Sequence, residues 1–196
     1  MTGVRVDAGF VRRQSADVVI VATGSIPRNP DIEVNDDPVL LDARDVIGGA
    51  EVPSGRVVVA DWRCDWVGLG VAQLLAEHGR KVSLCVDGYM PGEMLQQYVR
   101  AEMIAAVHKA GVDVITNVRV FGVDQDTAYL QHRLSGQPVL LGDVAATVFS
   151  VGPLSLAGLL DELTDYGDHV IGIGDCLAPR TVEEAVLEGL KAAWSI

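Results

Sequence analysis

Continuous apolar runs alternate with helically spaced apolar residues along most of the chain. Such runs are typical of strands buried on both faces of a parallel sheet, and they occupy residues 16–24, 52–62, 81–88, 112–117 and 169–175. Apolar residues at three- and four-residue spacing predict helices, and these cover residues 67–79, 92–111 and 181–196. The pattern therefore predicts a series of strand–helix–strand units.

The pattern changes between residues 118 and 150, where short alternating segments are separated by polar turns. These segments are typical of antiparallel strands. Together the two patterns predict an α/β fold, a Rossmann-like parallel sheet flanked by helices with a small antiparallel meander. In folds of this kind, ligands bind beyond the carboxyl ends of the parallel strands.

Composition and charge indicate which kinds of binding partner and which cellular compartment to expect. The chain has 196 residues, 49% of them hydrophobic, and a formal net charge of −12, so we expect no nucleic-acid or membrane partner. No apolar run approaches the roughly 20 residues of a membrane helix, and the N-terminus lacks a signal-peptide layout, so we expect a cytoplasmic protein. Cys64, Cys85 and Cys176 are far apart in the sequence, which favours free buried thiols over a metal site or redox pair.

Two strand ends carry candidate chemistry. Gly24 follows one apolar run and permits close backbone approach, and Gly174-Asp175 ends another. The Asp175 carboxylate can accept hydrogen bonds from sugar-type hydroxyls, and a helix that begins near Thr181 presents backbone N–H groups to an anion. Helix capping followed by an acidic first turn explains the same residues without a ligand. Both explanations are open at this point.

The two strand ends together resemble a known flavoprotein family. "ADVVIVATGSIPRNP" and "VIGIGDCLAPRTVEEAVLEGLKAA" are similar to the FAD/NAD(P)-binding C-terminal region of the family that includes 2,4-dienoyl-CoA reductase, trimethylamine dehydrogenase and histamine dehydrogenase. The resemblance extends from about Ser15 to Ala193. It implies contacts to the nucleotide, ribityl chain and pyrophosphate of FAD from Thr23, Gly24, Gly174, Asp175, Arg180, Thr181 and Val182.

The same resemblance places a second nucleotide-binding domain at "VVVADWRCDWVGLG". Gly68 corresponds to the third glycine of the usual phosphate-binding fingerprint, whereas Arg63 and Asp65 stand where the first two glycines belong. A carboxylate at Asp65 repels a phosphate at close range. We therefore expect no productive binding of NAD(P)H.

Two interpretations of that loop remain open. In the first, Asp61 and Asp87, each near the end of an apolar run, accept hydrogen bonds from the ribose or adenine of an ADP-like ligand. In the second, which we favour, Trp62 and Trp66 fill the pocket and pack against the neighbouring lobe.

The resemblance also implies the domain organisation. Residues 1–53 and 165–196 correspond to a partial FAD-binding lobe, and residues 54–164 correspond to an NAD(P)-like lobe with a degenerate phosphate loop. Gly152-Pro153 stands where the chain of the family crosses back between lobes. The sequence contains no first glycine fingerprint, no barrel for FMN and no cysteine cluster for iron–sulfur. We therefore assign no catalytic or metal-binding residue.

The expected function is accordingly that of a part. The chain is expected to be the FAD- or ADP-binding portion, or subunit, of a flavin-dependent NADH:flavin oxidoreductase or amine dehydrogenase-like enzyme whose catalytic centres lie outside it. The expected partner is a chain that carries the missing half of the FAD lobe and the FMN/iron–sulfur domain and shares the FAD, or else a second copy. The alternative is a cofactor-free scaffold or interaction domain derived from the same fold.

Overall fold

The computed structural model describes residues 2–196, apart from the side chain of Asp168. The chain divides into two compact units. Unit 1 comprises the residues up to Arg28 together with Pro153–Ile196, and unit 2 is Asn29–Gly152. One division falls between Gly152 and Pro153, the position at which the family resemblance implies that the chain crosses between lobes.

Helices and strands alternate along the described residues. The α-helices are α1 (Ala8–Gln14), α2 (Ala43–Ile47), α3 (Trp66–Glu77), α4 (Gln97–Lys109), α5 (Gly158–Glu162) and α6 (Val182–Trp194). The strands are β1 (Val19–Val21), β2 (Ser25–Pro27), β3 (Glu33–Val34), β4 (Leu40–Asp42), β5 (Arg56–Asp61), β6 (Lys81–Val86), β7 (Asp113–Thr116), β8 (Val118–Val123), β9 (Ala128–His132), β10 (Pro138–Leu141), β11 (Val144–Ser150), β12 (Pro153–Ser155) and β13 (Val170–Gly172). Short 3₁₀ segments lie at Thr164–His169 and Gly174–Cys176.

Unit 2 is a layered α/β structure built on a five-stranded parallel sheet of order β4-β11-β5-β6-β7. Alternate residues of β5 enter different cores because side chains alternate across a strand. Val57 and Val59 pack with Leu69 of α3. Val58 and Ala60 pack with β8 and β9, which belong to a second sheet of order β10-β9-β8-β3. Burial on both faces explains the continuous apolar run and confirms the predicted fold class.

The structure differs from the predicted elements at two places in unit 2. The sequence pattern predicts β11 as part of the antiparallel meander, but β11 pairs in parallel with β4 and β5 and is buried along nearly its whole length. Helix α4 begins at Gln97 rather than near residue 92, because Gly92 has a left-handed backbone with φ of 66° that no helix can continue.

Strand pairing also explains where unit 2 begins. β3 pairs with β8, and β4 pairs with β11, so residues 29–53 group with unit 2 by their contacts. This accounts for the difference between the unit found here and the predicted lobe of residues 54–164.

Unit 1 contains two small sheets, the parallel pair β1 and β13 and the antiparallel pair β2 and β12. Its core includes Val11, Val21 and Leu163. Ile20 of β1 is 43% exposed, so the described residues do not complete the burial on both faces that the sequence predicts for residues 16–24. Large apolar residues are also exposed at four-residue spacing along α6, and they are Val182, Val186, Leu190 and Trp194.

Cys64, Cys85 and Cys176 are free and buried, as predicted. Within residues 2–196, the helices are all too short or too polar to cross a membrane.

Candidate functional site

The Gly-Asp turn after β13 is fixed from two sides. Gly174 has a φ of 66°, a left-handed conformation that glycine adopts without strain. Its backbone N–H donates to Glu188 Oε2 at 2.7 Å, and the Ser25 hydroxyl donates to Asp175 Oδ2, also at 2.7 Å. The turn is therefore tied to α6 through Gly174 and to β2 through Asp175.

The residues before β2 contact the segment that follows β12. The Thr23 hydroxyl donates to the carbonyl of Leu156 at 2.5 Å, and the Leu156 N–H donates to the carbonyl of Gly24 at 3.0 Å. Gly24 has a φ of 78°. These bonds hold Thr23 and Gly24 beside Ser25, so the structure brings both predicted strand ends of unit 1 into one neighbourhood.

Helix α6 begins with a capping box at Thr181. The Thr181 hydroxyl accepts from the Glu183 N–H at 3.3 Å, and the Glu184 carboxylate accepts from the Thr181 N–H at 3.0 Å. The hydroxyl of Thr181 also bonds to Glu184, and this bond is the main reason why the pKa of Glu184 is lowered. The capping explanation for these residues is therefore realised, while ligand contacts from Thr181 and Val182 stay a prediction.

Arg180 lies beside the same turn and is paired with Glu188. One guanidinium nitrogen of Arg180 forms an ion pair with Glu188 Oε1, and Nε donates to the carbonyl of Ala178 at 3.3 Å. Sequence reasoning identified Arg180 but missed Glu188 and Ser25. Glu188 lies eight residues beyond Arg180 on a helix, and nothing in the local sequence pattern marks it as a partner of Gly174.

Asp61 occupies the end of β5, under the first turn of α3. It is fully buried, and its Oδ1 accepts from the Cys64 N–H at 2.9 Å while Oδ2 has no hydrogen-bond partner. Burial raises the pKa of Asp61 to about 7, against the lowering effect of the Cys64 bond. A side chain at Gly68 would meet Asp61, since a Cβ there would lie 2.4 Å from Asp61 Cγ. Gly68 therefore permits the close packing of α3 on β5, and Asp61 is shielded from a ligand in this conformation.

The positions of the lost glycines are filled by side chains that bond to one another. Asp65 is the N-cap of α3, and its Oδ1 accepts from the Val67 N–H at 2.9 Å. Arg63 Nε lies 2.8 Å from Asp65 Oδ2. Cys64 has a φ of 54°, and its Sγ lies so close to Gly88 that a Cβ there would be 2.8 Å away. A carboxylate of the chain itself therefore occupies the helix terminus that binds phosphate in a Rossmann fold.

Asp87 follows β6 and is paired with two arginines, Arg119 of β8 and Arg133, which directly follows β9. Arg133 Nε lies 2.8 Å from Asp87 Oδ1, and Arg119 Nη1 lies 3.4 Å from Oδ2. Burial raises the pKa of Asp87, and both arginines oppose that shift. Sequence reasoning missed both arginines, because they come from the meander, where no local spacing relates them to Asp87.

The two tryptophans of the loop behave differently. Trp62 packs edge-on against Phe149 at 6.4 Å between ring centroids, and the guanidinium carbon of Arg119 lies 3.9 Å from the centre of its ring, which is cation–π geometry. Trp66 is 66% exposed. Trp62 therefore packs within unit 2 and Trp66 does not, while packing of these rings against the neighbouring lobe stays a prediction.

Comparisons with known proteins relate the whole of this chain to part of larger enzymes. No protein-family model matches the chain. Bilirubin reductase of Mediterraneibacter gnavus is 31% identical over 188 residues, covering 95% of this chain and 28% of that protein. N,N-Dimethylglycine/sarcosine dehydrogenase of Chromohalobacter salexigens is 26% identical over 229 residues, covering 96% of this chain and 33% of that protein. Histamine dehydrogenase from Rhizobium sp. 4-9 has a TM-score of 0.88 at 22% identity, covering 97% of this chain and 32% of that chain.

The matched region is a minor part of each relative. The chain spans about a third of the length of the curated relatives that it matches. The relatives and structural neighbours are flavoprotein oxidoreductases and amine dehydrogenases. The chain therefore corresponds to a partial region of flavoprotein oxidoreductases, with sequence similarity to bilirubin reductase and the fold of the matched part of histamine dehydrogenase.

Proposed function

We propose that this chain is the FAD-binding portion of a flavin-dependent oxidoreductase and that the catalytic centres lie outside it. The observation that carries the proposal is the Gly174-Asp175 turn. It follows a strand of a parallel pair, lies beside Ser25, and is linked through Glu188 to Arg180 at the start of α6. Bound FAD would supply two-electron redox chemistry.

The residues at the turn fit the polar parts of FAD. The Asp175 carboxylate already accepts from one hydroxyl, that of Ser25, and it has the chemistry to accept from ribityl hydroxyls. Gly174 presents backbone without a side chain, and Arg180 supplies a half-exposed cation for a pyrophosphate. Thr23 and Gly24 are the proposed contacts to the nucleotide part.

For unit 2, we propose that NAD(P)H does not bind productively and that an ADP-like ligand is the most that it holds. Two features support this. The Asp65 carboxylate caps α3 where a pyrophosphate would otherwise lie, and Asp87 is engaged by Arg119 and Arg133. An adenine nucleotide at Asp87 would have to replace or extend those ion pairs.

We also propose that a further polypeptide completes unit 1. In the part of the chain that the structure describes, β1 and β13 form a two-stranded parallel sheet, whereas parallel strands normally lie within larger sheets covered on both faces. Ile20 and the apolar residues along α6 are exposed. The curated relatives are about three times as long as the matched region. The occupant we propose is therefore the remainder of such a flavoprotein, on the same or another chain.

The proposed function is tested by the flavin content of the native assembly. The tagged chain is purified from the cells that naturally express it, the protein is denatured, and the released FAD and ADP are quantified by chromatography. We expect FAD in stoichiometric amount for wild type. Asp175→Ala should weaken retention by about 1.5–3 kcal/mol, the worth of one charge-assisted hydrogen bond.

The control is Asp161→Asn, which removes an exposed carboxylate from α5 of the same unit and should leave the flavin content unchanged. Wild-type protein without FAD would contradict the proposal and favour the cofactor-free scaffold. Equal FAD content in Asp175→Ala would contradict the role of Asp175.

A further inference from the structure

We infer that Glu188 is a positioning residue, which holds the Gly174 amide and the Arg180 guanidinium in fixed places beside the proposed FAD site. This inference rests on the proposed function, and it assigns a role to a residue that the sequence pattern does not mark.

The carboxylate of Glu188 divides its two oxygens between two partners. Oε2 accepts from the Gly174 N–H at 2.7 Å, and Oε1 forms an ion pair with Arg180. The side chain of Glu188 is only 16% exposed, against 43% for Arg180. Hydrogen bonds to an ionised group are shorter and stronger than those between neutral groups. The Glu188 carboxylate makes such bonds to both the Gly174 turn and the Arg180 cation, and so connects them.

Glu188 comes from a regular element, whereas its partners come from irregular ones. It lies in the middle of the capped helix α6, so its backbone position is well determined. Gly174 starts a 3₁₀ turn in a left-handed conformation, and Arg180 belongs to the loop before the helix. Glycine adopts other backbone conformations as readily as the left-handed one. The hydrogen bond to Glu188 therefore selects the left-handed conformation observed at Gly174.

The consequence for a ligand is preorganisation. Arg180 Nε is held by the carbonyl of Ala178 and another nitrogen by Glu188, so the side chain is already ordered. Ordering a long side chain on binding lowers affinity. The Arg180 side chain is already ordered before an anion binds, so this loss of affinity is avoided. The Gly174 bond likewise keeps Asp175 next to Ser25.

A competing role for Glu188 has the opposite consequence. If its carboxylate merely neutralised Arg180 and blocked the Gly174 N–H, then its removal would strengthen the binding of FAD. The geometry favours positioning, because the bond goes to the backbone of the turn itself, and its loss leaves a backbone donor without its partner.

The test compares Glu188→Ala and Glu188→Gln with Glu162→Gln, a matched control that removes an exposed carboxylate from α5. The full chain is purified with any partner it retains, freed of flavin, and titrated with FAD while the flavin fluorescence is followed. Hydrogen exchange at the Gly174 amide and the Nε–H resonance of Arg180 are measured by NMR without FAD. A thermal melt of each variant reports stability separately.

We expect Glu188→Ala to bind FAD about tenfold more weakly or worse, with faster exchange at Gly174. Glu188→Gln retains an acceptor for the Gly174 N–H but not the charge for Arg180. It should keep slow exchange at Gly174, broaden the Arg180 resonance and lose affinity to a smaller extent. Glu162→Gln should match wild type in all three measurements.

Unchanged or tighter FAD binding in both Glu188 variants overturns the inference, as does unchanged exchange at Gly174 in Glu188→Ala. A wild-type assembly that contains the completing polypeptide and still has no affinity for FAD refutes the proposed function instead. In that case the exchange and resonance measurements still decide whether Glu188 positions the two groups.

Discussion

The substitution Asp61→Asn should change how the stability of unit 2 depends on pH. Asp61 is fully buried, and one carboxylate oxygen has no hydrogen-bond partner. Burial raises its pKa from an ordinary value of 3.8 to about 7. Between those two values the folded protein binds more protons at Asp61 than the unfolded chain does, so the free energy of unfolding decreases as the pH rises.

The size of the effect follows from the two pKa values. Each pH unit between them is worth about 1.4 kcal/mol, so ionisation of Asp61 costs unit 2 about 4 kcal/mol by pH 8 relative to pH 4. An amide at this position does not ionise. At pH 4 the two proteins should differ by no more than about 1 kcal/mol, since a neutral carboxyl and an amide both leave one buried polar group unpaired. At pH 8 the variant should be more stable by about 2–4 kcal/mol.

The assay is urea unfolding between pH 4 and pH 8, followed by tryptophan fluorescence, because Trp62 and Trp66 both belong to unit 2. The informative quantity is the difference between variant and wild type at each pH, since other groups also titrate. Asp113→Asn, which changes an exposed carboxylate on β7, is the control for the substitution itself. A difference for Asp61→Asn that stays constant from pH 4 to pH 8 would refute the account of Asp61.

Three further outcomes are expected. Gly68→Ala should destabilise unit 2 by about 1–3 kcal/mol through overpacking against Asp61, and urea unfolding of the double variant with Asp61→Ala should show a smaller cost, whereas strict additivity would contradict the contact. Asp65→Ser keeps a capping side chain but removes the charge, so the variant should bind ADP more tightly than the wild-type protein does in a calorimetric titration. Unchanged affinity would contradict the blocking role of the carboxylate. In the isolated chain, hydrogen exchange should be slow in β5 and β6 and faster in β1 and β13. Addition of the proposed completing polypeptide should restore the protection of β1 and β13, and uniform protection without it would contradict the proposal that unit 1 is incomplete.

The sequence predicts the architecture of unit 2 well because its strands are buried on both faces. The apolar runs around β5 and β6 predict strands at the centre of a parallel sheet, where both faces are buried. The glycine at position 68 is explained by its contact with Asp61. The sequence pattern places β11 in the meander, because an apolar segment next to antiparallel strands does not reveal its own direction of pairing. That direction depends on tertiary partners, β4 and β5.

The candidate sites were predictable only in part, for a similar reason. Strand ends and glycines identify Gly174, Asp175 and Asp87, since their position follows from the order of elements. The partners that set the chemistry of these residues are distant in sequence. Arg119 reaches Asp87 from β8 and Arg133 from the residue after β9, and Glu188 reaches Gly174 from the middle of a helix, so no spacing rule connects them.

The most direct test of the central claim is an experimental structure of the purified assembly with FAD. The account predicts density for the ribityl chain and pyrophosphate beside Asp175 and the segment from Arg180 to Val182. It also predicts that the loop with Asp65 stays free of a pyrophosphate. Flavin density located elsewhere, or an assembly that contains this chain and no flavin at all, would contradict the account.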